Sequence, residues 1–320
     1  MLNTPIAYII FNRPRQTAQT FAAIRAQKPR HLLIIADGPR KNHPTDIERC
    51  QETRAIVNDI DWPCHVQLNY SDENLGCKRR VSSGLDWVFE QVESAIVLED
   101  DCLPNNDFFV FCDELLQRYA TDERVWAITG NNFQGGRRRS DAAYYFSKYN
   151  HCWGWATWRR AWQHYRVDIP YWPEWKETKD WRKKTPDPVE RKVWGSLLDR
   201  VRAGEIDTWD YQWTACVWYH GGLTATPNVN LVTNIGFGPD ATHTVNANDQ
   251  ASLAALPLGQ LTHPKAIRQN YRADRFVFNQ NFGGSLHPDR IMNRFKWRVD
   301  QLKRSPKWLI KKVKTLFANK

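Results

Sequence analysis

Short apolar runs alternate with stretches in which apolar residues return every three or four positions, and this alternation organises roughly the first 130 residues. Residues 5–11 (Pro-Ile-Ala-Tyr-Ile-Ile-Phe), 31–36 (His-Leu-Leu-Ile-Ile-Ala) and 95–98 (Ala-Ile-Val-Leu) read as apolar strands of a sheet interior, and 64–70 reads as a further strand. Between them, Thr17, Phe21 and Ile24 mark a first helix and residues 46–60 a second. Val81, Leu85, Val88, Phe89 and Val92 form the apolar face of a third over 77–92. Such alternation predicts an α/β fold, a mostly parallel central sheet with helices on both faces. A helix over 108–119, N-capped by Asn106 or Asp107, and a strand over 125–129 continue the series. The stretch 130–140, rich in Gly, Asn and Arg, reads as loop.

Beyond residue 140 the pattern is sparser. Trp158 and Trp162 have helical i, i+4 spacing, residues 170–188 read as an ordered surface excursion, and 228–232 as a late strand. Residues 246–288 carry no interpretable motif. After Asp289, helical spacing returns at Ile291, Met292, Phe295, Val299 and Leu302, and after Pro306 at Leu309, Val313, Leu316 and Phe317.

The polar residues that end the strands carry the candidate chemistry. In a parallel sheet Asn12, Asp37, Asn74 and Asp101 share the C-terminal edge, where open α/β sheets hold ligands. At the fourth strand three carboxylates follow one another, Glu99, Asp100 and Asp101. Enclosed side by side they repel, so a divalent cation is their natural neutraliser, and oxygen ligands favour Mg²⁺ or Mn²⁺. The plainer reading is a charged turn ending an ordinary strand. No GxGxxG follows the first strand and no GxxxxGK[ST] occurs, which disfavours a dinucleotide fold and a P-loop.

Composition then narrows the setting. Sixteen Trp suggest flat faces for sugars, although core packing must account for many of them. Seven Cys without a paired framework fit reduced thiols, and no apolar run reaches a membrane span, so a cytoplasmic protein is expected. The net charge of +10 is concentrated from residue 289 onward, where eleven Lys or Arg face two Asp, leaving the body close to neutral. That distribution argues against a nucleic-acid partner. It points instead to a basic amphipathic tail that attaches the protein to an anionic membrane surface, peripheral on the inner face of the cell membrane.

Phe11-Asn12-Arg13-Pro14, Ile35-Ala36-Asp37-Gly38-Pro39, Asn74-Leu75-Gly76 and Leu98-Glu99-Asp100-Asp101, in this order and each at a strand end, resemble the GT-A glycosyltransferases. These are Rossmann-like nucleotide-diphospho-sugar transferases with a DxD-type motif. The Glu-Asp-Asp form is similar to the N-acetylglucosaminyltransferase I type and to bacterial family 2-like enzymes, and the likeness is clear over about residues 5–130.

The resemblance implies a nucleotide-sugar donor, a UDP-sugar favoured, and a saccharide or lipid-linked saccharide acceptor. It implies Mn²⁺ or Mg²⁺ on Asp101, with Glu99 and Asp100 near the ribose and sugar. Asn12, Arg13 and Asp37 then fall where the nucleoside is held, and Asn74 at the third strand end. Arg79 and Arg80 open a helix and are placed to add positive charge near the diphosphate, unless they are a solvated helix end. Trp153 and Trp155, around Gly154, resemble the family's Gly-Trp segment beside the sugar. Trp209-Asp210-x-x-Trp213 resembles the segment that carries the general base, which makes Asp210 the candidate and Asp207 its understudy. Residues 233–244 hold two alternate glycines that allow close approach to a phosphate, and His243 as a possible metal contact.

This organisation predicts a donor half over 1–130, an acceptor and catalytic half over 131–288, and the tail over 289–320. A sugar-nucleotidyltransferase and a membrane-bound carbohydrate-binding module remain the alternatives.

Overall fold

The computed structural model describes residues 1–237 and 253–292 of the 320. The elements in chain order begin with β1 (Ile6–Ile10), α1 (Pro14–Gln27), β2 (His31–Ala36), α2 (Asp46–Asn58), β3 (His65–Tyr70), α3 (Gly76–Gln91) and β4 (Ser94–Glu99). Then come β5 (Cys102–Pro104), α4 (Asn106–Arg118), β6 (Val125–Thr129), β7 (Tyr144–Ser147), β8 (Trp155–Trp158), α5 (Arg159–Trp162), α6 (Trp172–Trp175) and α7 (Lys179–Lys184). The last are α8 (Pro188–Arg202), α9 (Asp210–Tyr219), β9 (Leu223–Pro227), β10 (Val232–Asn234) and α10 (Tyr271–Asn281).

Eight strands form one sheet in the order β3-β2-β1-β4-β8-β6-β9-β7. The first four are mutually parallel, β8 runs against both β4 and β6, and β6 is parallel to β9. Uniformly apolar strands such as β1 and β2 need cover on both faces, and they receive it. Because alternate side chains point to opposite faces, Ala7, Ile9, Leu33, Ile35 and Val97 pack with α3, α8 and α9. Ile6, Tyr8, Leu32, Ile34 and Leu98 pack with α1 and α4.

The first cluster contains ten of the sixteen tryptophans, and Trp172, Trp175 and Trp181 among them pin the 170–188 excursion to the core while most of its other residues stay exposed. Three expectations need correcting. Trp158 ends β8 while Trp162 belongs to α5, so the two share no helix. The N-cap of α4 is Asn105, whose side chain accepts from the Phe108 amide, one position before the residues expected. The strand expected over 228–232 is displaced: residues 228–231 form a bend after β9, and only Val232 belongs to a strand, β10, while β7, β9 and α10 were not anticipated.

The small antiparallel ribbon of β5 and β10 sits just past the carboxylate triplet, with Asn234 opposite Cys102. The Ile235 amide donates to the Asp101 carbonyl at 2.8 Å, tying the two segments together. Among the described residues no helix is long and apolar enough to cross a membrane.

Candidate active site

The C-terminal ends of β1, β2 and β4 and the start of α3 enclose a cavity of about 240 Å³. Its floor carries the three acids, and the chain holds each differently. Asp100 is buried at 6% exposure, accepting from the Phe11 amide at 3.2 Å and from Arg13 at 3.4 Å. Asp101 accepts from the same Arg13 guanidinium at 2.6 Å and has Cys102 Sγ 3.5 Å from its other oxygen. Glu99 lines the cavity and, among the described residues, its carboxylate has neither a hydrogen-bond nor an ion-pair partner.

One guanidinium among three carboxylates leaves an excess of negative charge in a poorly hydrated place. Burial, then the Asp101 charge, pushes Asp100 up to about 7. Burial, then Asp101, Asp100 and Asp210, holds the Glu99 carboxyl well above the usual carboxylate range, against the opposing pull of Arg13.

A second group of residues builds one wall. Asp37, at the end of β2, accepts from the amides of Gly38 and Leu75 at 2.9 Å and Gly76 at 3.1 Å, and from Asn74 Nδ2 at 3.1 Å. Asn74 also donates to the Gly38 carbonyl at 2.9 Å. These bonds fasten the loop that opens α3. Burial nevertheless raises the Asp37 pKa, the three amides opposing it.

Arg80 also lines the cavity. It is 5% exposed and donates to the Ala36 carbonyl at 3.1 Å and to Asn69 Oδ1 at 2.7 Å. Arg40 at the rim pairs with Asp46 at 2.7 Å and lies over the Phe11 ring.

The structure brings together Arg13, Asp37, Asn74, Glu99, Asp100, Asp101 and Trp153 as lining residues. Others expected in the site lie elsewhere. Asn12 turns its amide to Asp46 at 2.8 Å, acting as a brace between β1 and α2. Arg79 lies on the outer side of α3, in a separate groove with Asp86 and Arg166, while its neighbour Arg80 faces the cavity. Trp155 is 2% exposed and stacks on Trp209 at 5.5 Å, inside the core. His243 and Gly238 lie outside the described residues.

Asp210 is the first residue of α9 and accepts a bond from the Thr208 hydroxyl. It does not line the cavity, but its charge raises the pKa of the two lining groups Glu99 and Cys77. Asp207 lies 3.9 Å from Lys78 Nζ at the same end of α3.

Sequence reasoning passed over Cys77, Asn234 and Phe237 as lining residues. The close approach expected of the glycine pair is real for Gly236, but its neighbour is protein: a Cβ there would lie 2.0 Å from Asp101 Oδ2.

Hard oxygen donors with uncompensated charge suit a divalent cation. Among the described residues no three His, Cys, Asp or Glu side chains are grouped as a metal cage. A cation here would therefore take one or two carboxylates and leave positions for ligand oxygens, the habit of Mg²⁺ with phosphates.

No family model and no curated protein matches the chain. Solved structures similar to it include the mannosyltransferase PcManGT from Pyrobaculum calidifontis in complex with GDP-Man and Mn²⁺. That pair shows 11% identity and a TM-score of 0.37, over 68% of this chain and 70% of that one. A 4-diphosphocytidyl-2C-methyl-D-erythritol synthase from Anaerococcus prevotii shows 9% identity and a TM-score of 0.35, over 70% and 88%. HddC from Yersinia pseudotuberculosis shows 8% and 0.30, over 51% and 80%. Likenesses this distant carry no functional argument, which rests on the chain's own site.

Proposed function

We propose that the protein is a metal-dependent, inverting glycosyltransferase of the GT-A type. It would move a sugar from a nucleotide-diphosphate donor, a UDP-sugar favoured, to a saccharide or lipid-linked saccharide acceptor. The observation that carries this reading is the unpartnered Glu99 carboxylate beside Asp100 and Asp101 in a cavity at the ends of parallel strands.

Asp101 is the residue to hold Mn²⁺ or Mg²⁺, and a bound ion would supply Lewis-acid charge to the leaving diphosphate. Glu99 has open acceptor positions for the hydroxyls of ribose or sugar. Asp37 has its oxygens committed to four donors, so it acts by fixing the 74–76 loop. Arg80 contributes positive charge at the same wall. Asp210, whose charge reaches Glu99, takes the proton of the attacking acceptor hydroxyl. The enzyme is further proposed to work in the cytoplasm on the inner face of the membrane, held there by its basic C-terminal segment.

Calorimetric titration of UDP-, GDP-, dTDP- and CMP-sugars, with and without Mn²⁺, tests the reading. One donor should bind in a metal-dependent way, and Asp101→Ala should abolish that dependence. Donor binding indifferent to EDTA and to Asp101→Ala would overturn the metal assignment. Pyrophosphate release from a nucleoside triphosphate plus a sugar phosphate would replace transfer by nucleotidyl transfer.

A further inference from the structure

From the cavity mouth a row of aromatic rings leads away across the ends of the sheet. Phe237, which lines the cavity, lies 5.8 Å from Trp153, and Trp153 lies 5.6 Å from Phe133. Two residues on, the position of Gly135 is only 3.5 Å from the Phe276 ring of α10, measured from where its Cβ would stand. The row ends in cations: Arg137 lies 4.6 Å and Arg139 5.2 Å from the centre of the Phe276 ring.

Arg137, Arg138 and Arg272 are exposed, and Arg139 is half-buried, donating to Gln134 Oε1 at 2.6 Å. Gln134 also donates to the Ala273 carbonyl, so the arginine loop and α10 are held as one surface. Among the described residues none of these four arginines has a carboxylate partner. The charges of Arg137 and Arg272 act on Arg139 unfavourably, adding to its burial in lowering its pKa. Unpaired guanidiniums packed this closely are a cost unless an anion meets them.

Position and chemistry say which anion. The loop leaves β6, whose C-terminal end lies on the same sheet edge as that of β4, so the patch adjoins the cavity. Flat rings offer stacking faces to sugar rings, and guanidinium forks suit discrete carboxylates or phosphates more than a diffuse surface charge. We propose that the acceptor is a saccharide chain bearing negative charge, which runs from the cavity over Phe237, Trp153 and Phe133 onto Arg137, Arg139 and Arg272. This rests on the glycosyl-transfer reading and names its acceptor class.

Binding of the full-length protein to oligogalacturonate and to a phosphorylated oligomannan is compared with binding to a neutral oligoglucan of equal length. At least one anionic chain should bind, more weakly as salt rises, and the neutral one should not. Arg137→Gln/Arg272→Gln should weaken that binding by about tenfold or more. It should leave metal-dependent donor binding and attachment to phosphatidylglycerol vesicles unchanged. Equal affinity in the double variant, or equal binding of neutral and anionic chains, overturns the proposal. So does loss of vesicle attachment with saccharide binding intact, which would make the patch a membrane contact. Donor titration is a separate readout, so failure of the transferase reading is told apart from failure of this one.

Discussion

At the scale of single residues, the site depends on how closely backbone can approach Asp101. A methyl group at position 236 would overlap the Asp101 carboxylate, so Gly236→Ala must displace either the 234–236 turn or the side chain. Displacement separates Asp101 from Arg13, now 2.6 Å apart. Metal-dependent donor binding should fall by about tenfold or more, while urea unfolding shifts by only about 1–3 kcal/mol, the usual cost of overpacking one site. Unchanged donor affinity in calorimetry would show that Asp101 does not contact the donor through a metal. Asp210→Asn separates binding from chemistry. It keeps shape and the Thr208 contact but removes the carboxylate proposed as the base, so turnover should drop by roughly 10² to 10⁴ while donor affinity stays as it was. Near-normal turnover would dismiss Asp210.

At the scale of elements, legibility followed how local the cause was. The first four parallel strands, the helices between them and their polar ends were readable because β1, β2 and β4 are continuous apolar runs closed by turn residues, and the half-exposed edge strand β3, of mixed composition, lies between two helical patterns. The phase of α3 was readable too. Val81, Leu85 and Val88 define its buried face, and Arg80 belongs to that face while Arg79 does not, so the periodicity held the signal that separates the two arginines. Trp153 and Trp155 look alike in sequence, yet only Trp153 reaches the cavity. Register decides this: Trp155 pairs with Val97 inside the sheet, and no local pattern reports which tertiary neighbour a ring will find.

The same limit hid α10, whose buried face carries an acid, Asp274, among the apolar residues Ala273, Val277 and Phe278. Asp274 accepts from Ser147 at 2.6 Å and Gln269 at 2.7 Å, and burial pushes it up to about 6 against these bonds and the nearby Lys148 charge. A carboxyl whose pKa is raised on folding binds its proton more tightly in the folded state. Its contribution to stability is therefore full below the unfolded pKa and is lost as pH rises through about 6. A rise of roughly two pH units corresponds to about 3 kcal/mol. The stability difference between the native protein and Asp274→Asn should accordingly shift by about this much, against the native protein, between roughly pH 4 and 7. Denaturant titrations at several pH values check it, and a difference constant with pH would show that Asp274 does not titrate in this window.

For the whole molecule, charge is divided unevenly between chain segments, and the division has a mechanical reading. The protein carries +10 overall, but eleven of its 45 Lys and Arg lie from residue 289 onward, against only two acids there, so the rest of the chain is close to neutral. A nearly neutral body gains little from an anionic bilayer, whereas clustered cations gain on the order of 1 kcal/mol each near its surface. Apolar residues at helical spacing, with Trp297 and Trp308 among the cations, add an interfacial component that salt does not screen. This segment from residue 293 lies outside the described residues, and its attachment role is a proposal from sequence. Deleting residues 293–320 should release the protein from phosphatidylglycerol vesicles in sedimentation assays while leaving the unfolding transition and donor affinity in place. In the intact protein, raised salt should weaken attachment without abolishing it. Vesicle binding undiminished by the deletion would remove the tail from the attachment and leave the body, with its arginine patch beside the cavity, as the surface that meets the membrane.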